Sequence, residues 1–345
     1  MSSLYSADGW VDASRLMDDP APVVIATGGR GIGKTYGVLK EFIKRDIFFL
    51  YMRRQQIQIE SALTEEFNPF HELNTVEGYD ILSARVNKAV IGFYHSTVKE
   101  GKAVPQGSPI GLGVALSVFA NIRGISGDKI THILFDEIIP ERQERPIKAE
   151  GSAILNAYES INRNRELNGI APLKLIMLTN SNQIDSGVLD AFGAIDPLDK
   201  MIRKGQSYST FYEGNLAIYR YTNSPISEAK KHTALYKLSN IKEFSDMAID
   251  NDFSENDFEQ VRGRPIGEYR PLVSIGGVTI YKHKSRAEYY IVRGVKTDNI
   301  YTLNDNSKTA FRKEYYYLYI ALIENRVSFS DVKCKMIFEG VFKNK

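Results

Sequence analysis

The chain has 345 residues, 43% hydrophobic and 25% charged, with 44 Lys/Arg against 42 Asp/Glu. That length exceeds what one core usually serves, so two domains, or one large domain with an appendage, are expected. No apolar run approaches membrane-spanning length, which argues against a membrane partner, and the single cysteine, Cys334, excludes an internal disulfide and a cysteine-based zinc site.

The first residues, Met-Ser-Ser-Leu-Tyr-Ser-Ala-Asp, lack a basic segment followed by an apolar stretch, so no secretory signal is expected and a reducing cytoplasm fits. Pro22 to Ala26 predicts a short buried strand, and Gly28 to Thr35 follows it as Gly-Gly-Arg-Gly-Ile-Gly-Lys-Thr. This is the G-x-x-x-x-G-K-[ST] phosphate-binding pattern (Walker A): backbone N–H groups wrap phosphate oxygens, Lys34 neutralises them and the Thr35 hydroxyl holds Mg²⁺. Gly28, Gly29, Arg30, Gly31, Ile32, Gly33, Lys34 and Thr35 are therefore the candidate nucleotide ligands. Tyr36, Val38, Leu39 and Phe42 recur at helical spacing over Thr35 to Lys44, so strand, loop and helix stand in the required order. The start of that helix adds its dipole to the anion site.

Ile47 to Met52 predicts a second buried strand ending in Arg53-Arg54, with Arg53 a candidate to organise the site within its own chain. Tyr79 to Tyr94 alternates apolar and polar residues around Asn87-Lys88, which predicts a hairpin. Lys99 to Ser108 and Asn121 to Lys129 predict polar loops around an apolar run over Gly111 to Phe119, and Ile133 to Phe135 predicts the next strand. That strand delivers Asp136 to the metal beside the phosphate loop (Walker B), and the adjacent Glu137 is placed to polarise an attacking water. A helix is predicted from Ala149 to Arg165, then a strand over Leu173 to Leu178 closed by Thr179-Asn180. Asn180 suits a γ-phosphate or water sensor because its amide both donates and accepts; an ordinary strand cap is the alternative. Strands alternating with helices and ending in polar loops describe an open, mostly parallel α/β sheet, with ligand at the carboxyl ends of the strands.

The pattern changes near Asn223-Ser224-Pro225. A short helix is predicted over Ser227 to Leu238, and 223–263 as a whole reads as a linker. Beyond it, Leu272 to Ile275, Val278 to Tyr281 and Glu288 to Val292 predict an antiparallel meander turned at Gly276-Gly277 and Lys284-Ser285, followed by an aromatic helix over Tyr315 to Ile323. Arg264 to Lys345 carries fifteen Lys/Arg and eight Asp/Glu, so the basic end is C-terminal, while the rest of the chain is acidic. Such a patch suits phosphate contacts, solvated surface charge being the other reading. Arg270 to Tyr281 contains no Asp or Glu, against a two-metal nuclease there.

Gly28 to Thr35, Phe49 to Arg54, Ala115 to Phe119, Ile133 to Glu137, Asn162 to Glu166 and Leu178 to Asn180 together resemble the DNA-packaging ATPase, or encapsidation protein, of small tailed phages with protein-primed genomes. These blocks stand in that family's order over about the first 200 residues, and Asn299 to Leu303 extends the likeness more weakly. The resemblance implies a P-loop NTPase of the additional-strand, catalytic-glutamate type (1–222), a helical linker (223–263) and a small α+β domain (264–345) resembling a degenerate RNase-H-like nuclease. It implies a homo-oligomeric, pentameric ring on the procapsid portal, in the host cytoplasm and absent from the mature virion, pumping double-stranded DNA with ATP and Mg²⁺. The phosphate-loop lysine falls on Lys34, the magnesium aspartate on Asp136 and the catalytic glutamate on Glu137. Arg163 matches the finger lent to the neighbouring site, and Arg123 a second basic residue facing it. The C-terminal domain is implied to bind nucleic acid or a capsid-attached packaging RNA. A nucleotide-dependent switch, a nuclease-active large terminase and a helicase-like ATPase are the rival functions. Lys99, Lys102 and Lys129 are the candidate DNA-gripping residues.

Overall fold

The computed structural model describes residues 3–120, 129–140, 144, 147, 149–180, 184, 186–230, 232–233 and 260–342. The chain divides into two compact units, Met1–Phe253 and Ser254–Lys345. Strands of the first unit are β1 (Val23–Gly28), β2 (Phe49–Arg53), β3 (Ile81–Arg85), β4 (Val90–Lys99), β5 (Lys102–Ala115), β6 (His132–Phe135), β7 (Lys174–Thr179), β8 (Tyr208–Phe211) and β9 (Leu216–Tyr221). Its helices are α1 (Ser14–Asp18), α2 (Lys34–Lys44), α3 (Gln56–Ser61), α4 (His71–Glu77), α5 (Leu116–Phe119), α6 (Glu150–Asn162), α7 (Gly187–Ala191), α8 (Ile195–Arg203) and α9 (Pro225–Lys230).

The nine strands form one sheet in the order β3-β4-β5-β2-β6-β7-β1-β9-β8. From β5 to β9 every pair is parallel, and antiparallel strands close the two edges. Parallel sheets are covered on both faces, and β7 is buried at all six positions, as the unbroken apolar run Leu-Ile-Met-Leu requires. Register fixes where the chemistry goes. Thr27 of β1 lies opposite Thr179 of β7, Met177 of β7 opposite Phe135 of β6, and Phe135 opposite Met52 of β2. The residues that follow, Gly28, Asn180, Asp136 and Arg53, therefore emerge along one edge of the sheet.

Beneath that edge, Phe49 stacks on Phe42 with ring centroids 4.9 Å apart, and Phe93 on Phe70 at 5.2 Å in a T-shaped pair. Aromatic burial of this kind supplies much of a core's energy. It also dictates Gly111, whose register partner is Phe49: a Cβ there would stand 2.5 Å from the Phe49 ring.

The expected strands over Ile47 to Met52 and Leu173 to Leu178 and the helix over Ala149 to Arg165 are all found, the helix ending at Asn162. Lys99 to Ser108 is not a loop. It forms the turn and second strand of a long hairpin in which Lys99 faces Lys102 across Glu100-Gly101, and both turn residues have positive φ (50° and 74°), as a type I′ turn demands. Gly107, φ 69°, sits in the irregular stretch of β5 where the register shifts against β4. The outer half of the hairpin is largely exposed, so it projects beyond the sheet.

Of the helix expected over Ser227 to Leu238, the described part is α9, which starts two residues earlier at Pro225, a residue suited to the first helical turn. Most of the expected linker lies outside the described residues. In the second unit, β10 (Tyr269–Ile275), β11 (Val278–His283) and β12 (Tyr289–Arg293) form the expected meander. Two strands not expected, β13 (Ile300–Tyr301) and β14 (Val327–Phe329), add in parallel at its edges, giving the order β13-β10-β11-β12-β14. Helices α10 (Asp305–Glu314), α11 (Tyr316–Ile323) and α12 (Val332–Phe342) complete it. Asn304 caps α10, not expected from the sequence, by accepting from the Ser307 backbone N–H at 2.8 Å.

Candidate functional site

The loop between β1 and α2 turns on glycines. Gly31 and Gly33 have φ 65° and 87°, left-handed values that side chains rarely adopt. A Cβ on Gly28 would lie 2.8 Å from both Ile32 and Tyr221. Ile32 is fully buried and its carbonyl accepts from the Val11 N–H at 3.0 Å, so its side chain anchors the loop from below rather than facing a ligand.

Lys34 is buried, 5% exposed, and its ammonium donates to the carbonyls of Gly28 and Gly29, both at 2.7 Å. Burial brings its pKa down to about 7, against the opposing pull of the Asp136 and Glu137 carboxylates. One residue on, the Thr35 hydroxyl lies 3.1 Å from both Asp136 carboxylate oxygens, and Tyr51 donates to the same carboxylate at 3.2 Å. A hydroxyl and a carboxylate converging at a phosphate loop are the hard oxygen donors that magnesium prefers.

Glu137 follows directly but turns the other way. Its backbone is left-handed, φ 55°, a conformation that costs energy for a residue with a side chain and is held here by what the carboxylate meets. Arg53 forms an ion pair with it, and the Asn180 amide donates to its other oxygen at 3.3 Å. Burial raises the Glu137 pKa, with Arg53 opposing. Arg53 also lies 3.6 Å from Asp136 and donates to the Tyr51 hydroxyl at 3.4 Å, while its Nε is buried without an acceptor among the described residues. It is thus placed between the two carboxylates rather than on the phosphate loop. A cavity of about 310 Å³ opens beside the group, lined in part by Thr35, Tyr51, Arg53 and Asp136.

The structure therefore brings Gly28, Gly29, Arg30, Gly31, Ile32, Gly33, Lys34, Thr35, Arg53, Asp136, Glu137 and Asn180 to one edge of the sheet. Arg163 does not join them. It is exposed at the end of α6, with its Nε 3.4 Å from the Ser160 carbonyl. Its neighbour Arg165 donates to the carbonyl of Ile130, just before β6 begins, so this corner belongs to the amino-terminal edge of the strands. Arg123 lies outside the described residues. Among the described residues, no group of three or more His, Cys, Asp or Glu is placed to hold a metal ion.

Three contributors escaped the sequence reading. Tyr51 was legible in principle, since strand alternation puts it on the face of Arg53. Trp10, whose ring comes within 3.2 Å of where a Gly33 Cβ would stand, and Lys230, whose ammonium donates to the Arg30 carbonyl at 2.6 Å, had no local signal.

The sequence profile of the Podovirus DNA encapsidation protein (Gp16) family matches residues 5–339. The DNA packaging protein of Bacillus phage B103 is 26% identical over 237 residues, a match that spans 66% of this chain and 62% of that relative. Two solved structures share the fold over 99% of both chains: the Phi-28 gp11 DNA packaging motor (TM-score 0.62, 19% identity) and the bacteriophage Phi-29 viral genome packaging motor assembly (TM-score 0.63, 18% identity).

Proposed function

The chain belongs to the Podovirus DNA encapsidation protein (Gp16) family, and from that premise and the phosphate-loop geometry we propose that it is an ATP-driven motor that moves double-stranded viral DNA into a preformed procapsid. The observation that carries this reading is the convergence of Lys34, Thr35, Asp136 and Glu137 at one sheet edge, with β7 inserted between the strands that deliver the loop and the carboxylates. That inserted strand supports the additional-strand, catalytic-glutamate class.

In this reading Thr35 and Asp136 would hold Mg²⁺, which would screen the phosphate charge. Lys34 exchanges its two loop carbonyls for phosphate oxygens. Glu137 accepts the proton of the attacking water, and its raised pKa matches it to that task. Asn180 and Arg53 orient the carboxylate. Exposed Arg163, at the opposite strand edge, serves the site of a neighbouring subunit, and Arg123 is assigned the same role from sequence alone, which calls for a ring; a pentamer on the portal, acting in the host cytoplasm, is the assembly proposed. The basic segment 264–345, joined by a linker over 223–263 to an ATPase domain over 1–222, is assigned to nucleic acid or a packaging RNA, on a vestigial nuclease-like scaffold whose strands β10, β11 and β12 carry no carboxylate.

The test is steady-state ATPase with Glu137→Gln, which keeps the shape of the side chain and removes its basicity. A loss of about 10²-fold or more in kcat, with ATP binding retained, is expected. Slow turnover in the wild-type chain, unaltered by the substitution, would instead identify a nucleotide-dependent switch.

A further inference from the structure

Lys230 ends α9, the last described helix of the first unit. Its ammonium donates to the carbonyls of Arg30 at 2.6 Å and Gly31 at 3.3 Å, so it rests on the crest of the phosphate loop. The approach depends on Gly31, where a Cβ would stand 2.5 Å from Lys230 Nζ. Lys34 grips the preceding two carbonyls, those of Gly28 and Gly29. Two ammonium groups thus hold four successive carbonyls of one loop. Neither is held by a carboxylate hydrogen bond among the described residues. Two ammonium groups hydrogen-bonded to neutral carbonyls of one loop repel each other, and a polyanion bound at that loop relieves the repulsion. Charge-assisted bonds to phosphate are also stronger than those to a carbonyl.

We infer that Lys230 is a second phosphate ligand of the loop, engaging the outer phosphates of the nucleotide together with Lys34. The charge of the bound nucleotide is then read at the end of α9. This rests on the nucleotide-site reading above and adds to it a residue about 200 positions beyond the loop.

Equilibrium binding of ATP, ADP, AMP and adenosine to the full chain, by calorimetry, tests it with Lys230→Ala and Lys230→Arg. Lys230→Ala is expected to weaken ATP about tenfold and ADP less, leaving AMP and adenosine unchanged, and Lys230→Arg to restore most of the loss. Equal weakening of all four ligands marks a structural role and overturns the inference, as does unchanged ATP affinity. Failure of the wild-type chain to bind ATP would overturn the nucleotide-site reading itself; wild-type binding matched by Lys230→Ala overturns only the role of Lys230.

Discussion

Lys34 is 5% exposed and spends its ammonium on two backbone carbonyls rather than on water. Its pKa falls from 10.5 to about 7 because burial penalises the charged form. The consequence for stability has a definite sign. Between about pH 7 and pH 10 the unfolded chain carries a proton on this lysine that the folded chain does not, so this group makes stability rise with pH across that window. Below pH 7 both states are protonated and the full penalty is present. Lys34→Met removes the penalty, and the variant is expected to melt several degrees higher than wild type at pH 7, a gain of at most about 5 kcal/mol before the loss of the two carbonyl bonds is subtracted. The gap should close as pH approaches 10. Thermal melts across that range check it, and a variant less stable at pH 7 would show that the ammonium contributes more through its carbonyl bonds than it loses by desolvation.

At the scale of elements, the hairpin β4–β5 carries Lys99 and Lys102 opposite each other at an exposed tip. Like charges in direct register are unfavourable unless an anion offsets them, and a DNA backbone is such an anion. Replacing Lys99, Lys102 and exposed Lys129 together by Ala is expected to abolish DNA stimulation of the ATPase and flatten its salt dependence, with the basal rate unchanged. Stimulation equal to wild type would assign DNA contact elsewhere. The polar composition of Lys99 to Ser108 predicts a loop, and Pro105 and Gly107 are residues common in loops. Pairing with β4 overrides both: Pro105 faces Ser96 on the ladder, and Gly107 falls in the irregular stretch. The phosphate loop and the strand ending in Asp136-Glu137 were legible because their chemistry is contiguous in the chain. The pairing of Arg53 with Glu137 was not, since it joins residues 84 apart. The same limit hid Arg54, buried at 1% exposure, which binds Glu150 at the start of α6 at 2.6 Å and so ties the end of β2 to that helix. Breaking such a buried pair leaves an uncompensated charge, which is why both partners must be read together.

For the whole molecule, the decisive fact is that the carboxylates and Arg163 stand at opposite edges of the same strands. Glu137 follows the carboxyl end of β6, whereas Arg165, two residues after Arg163, is bonded to Ile130 at its amino end. Within one chain this places Arg163 away from the strand edge that carries Lys34, Asp136 and Glu137. A head-to-tail ring removes the difficulty, because a heterologous interface presents one edge of a subunit to the other edge of its neighbour. The sequence supplied the arginine and its spacing, while the edge it occupies is a property of topology alone. Mixing inactive variants tests the arrangement. On the proposed roles, Glu137→Gln chains would keep the finger and lose the base, and Arg163→Ala chains the reverse. Each alone is expected to be nearly inactive, but in an equimolar mixed ring a site on an Arg163→Ala chain is completed whenever its finger-bearing neighbour is a Glu137→Gln chain. Recovery to about a quarter of wild-type specific activity is expected for random assembly with independent sites. If Arg163 acted inside its own chain, no mixture would recover anything, and ATPase per chain would not rise with protein concentration.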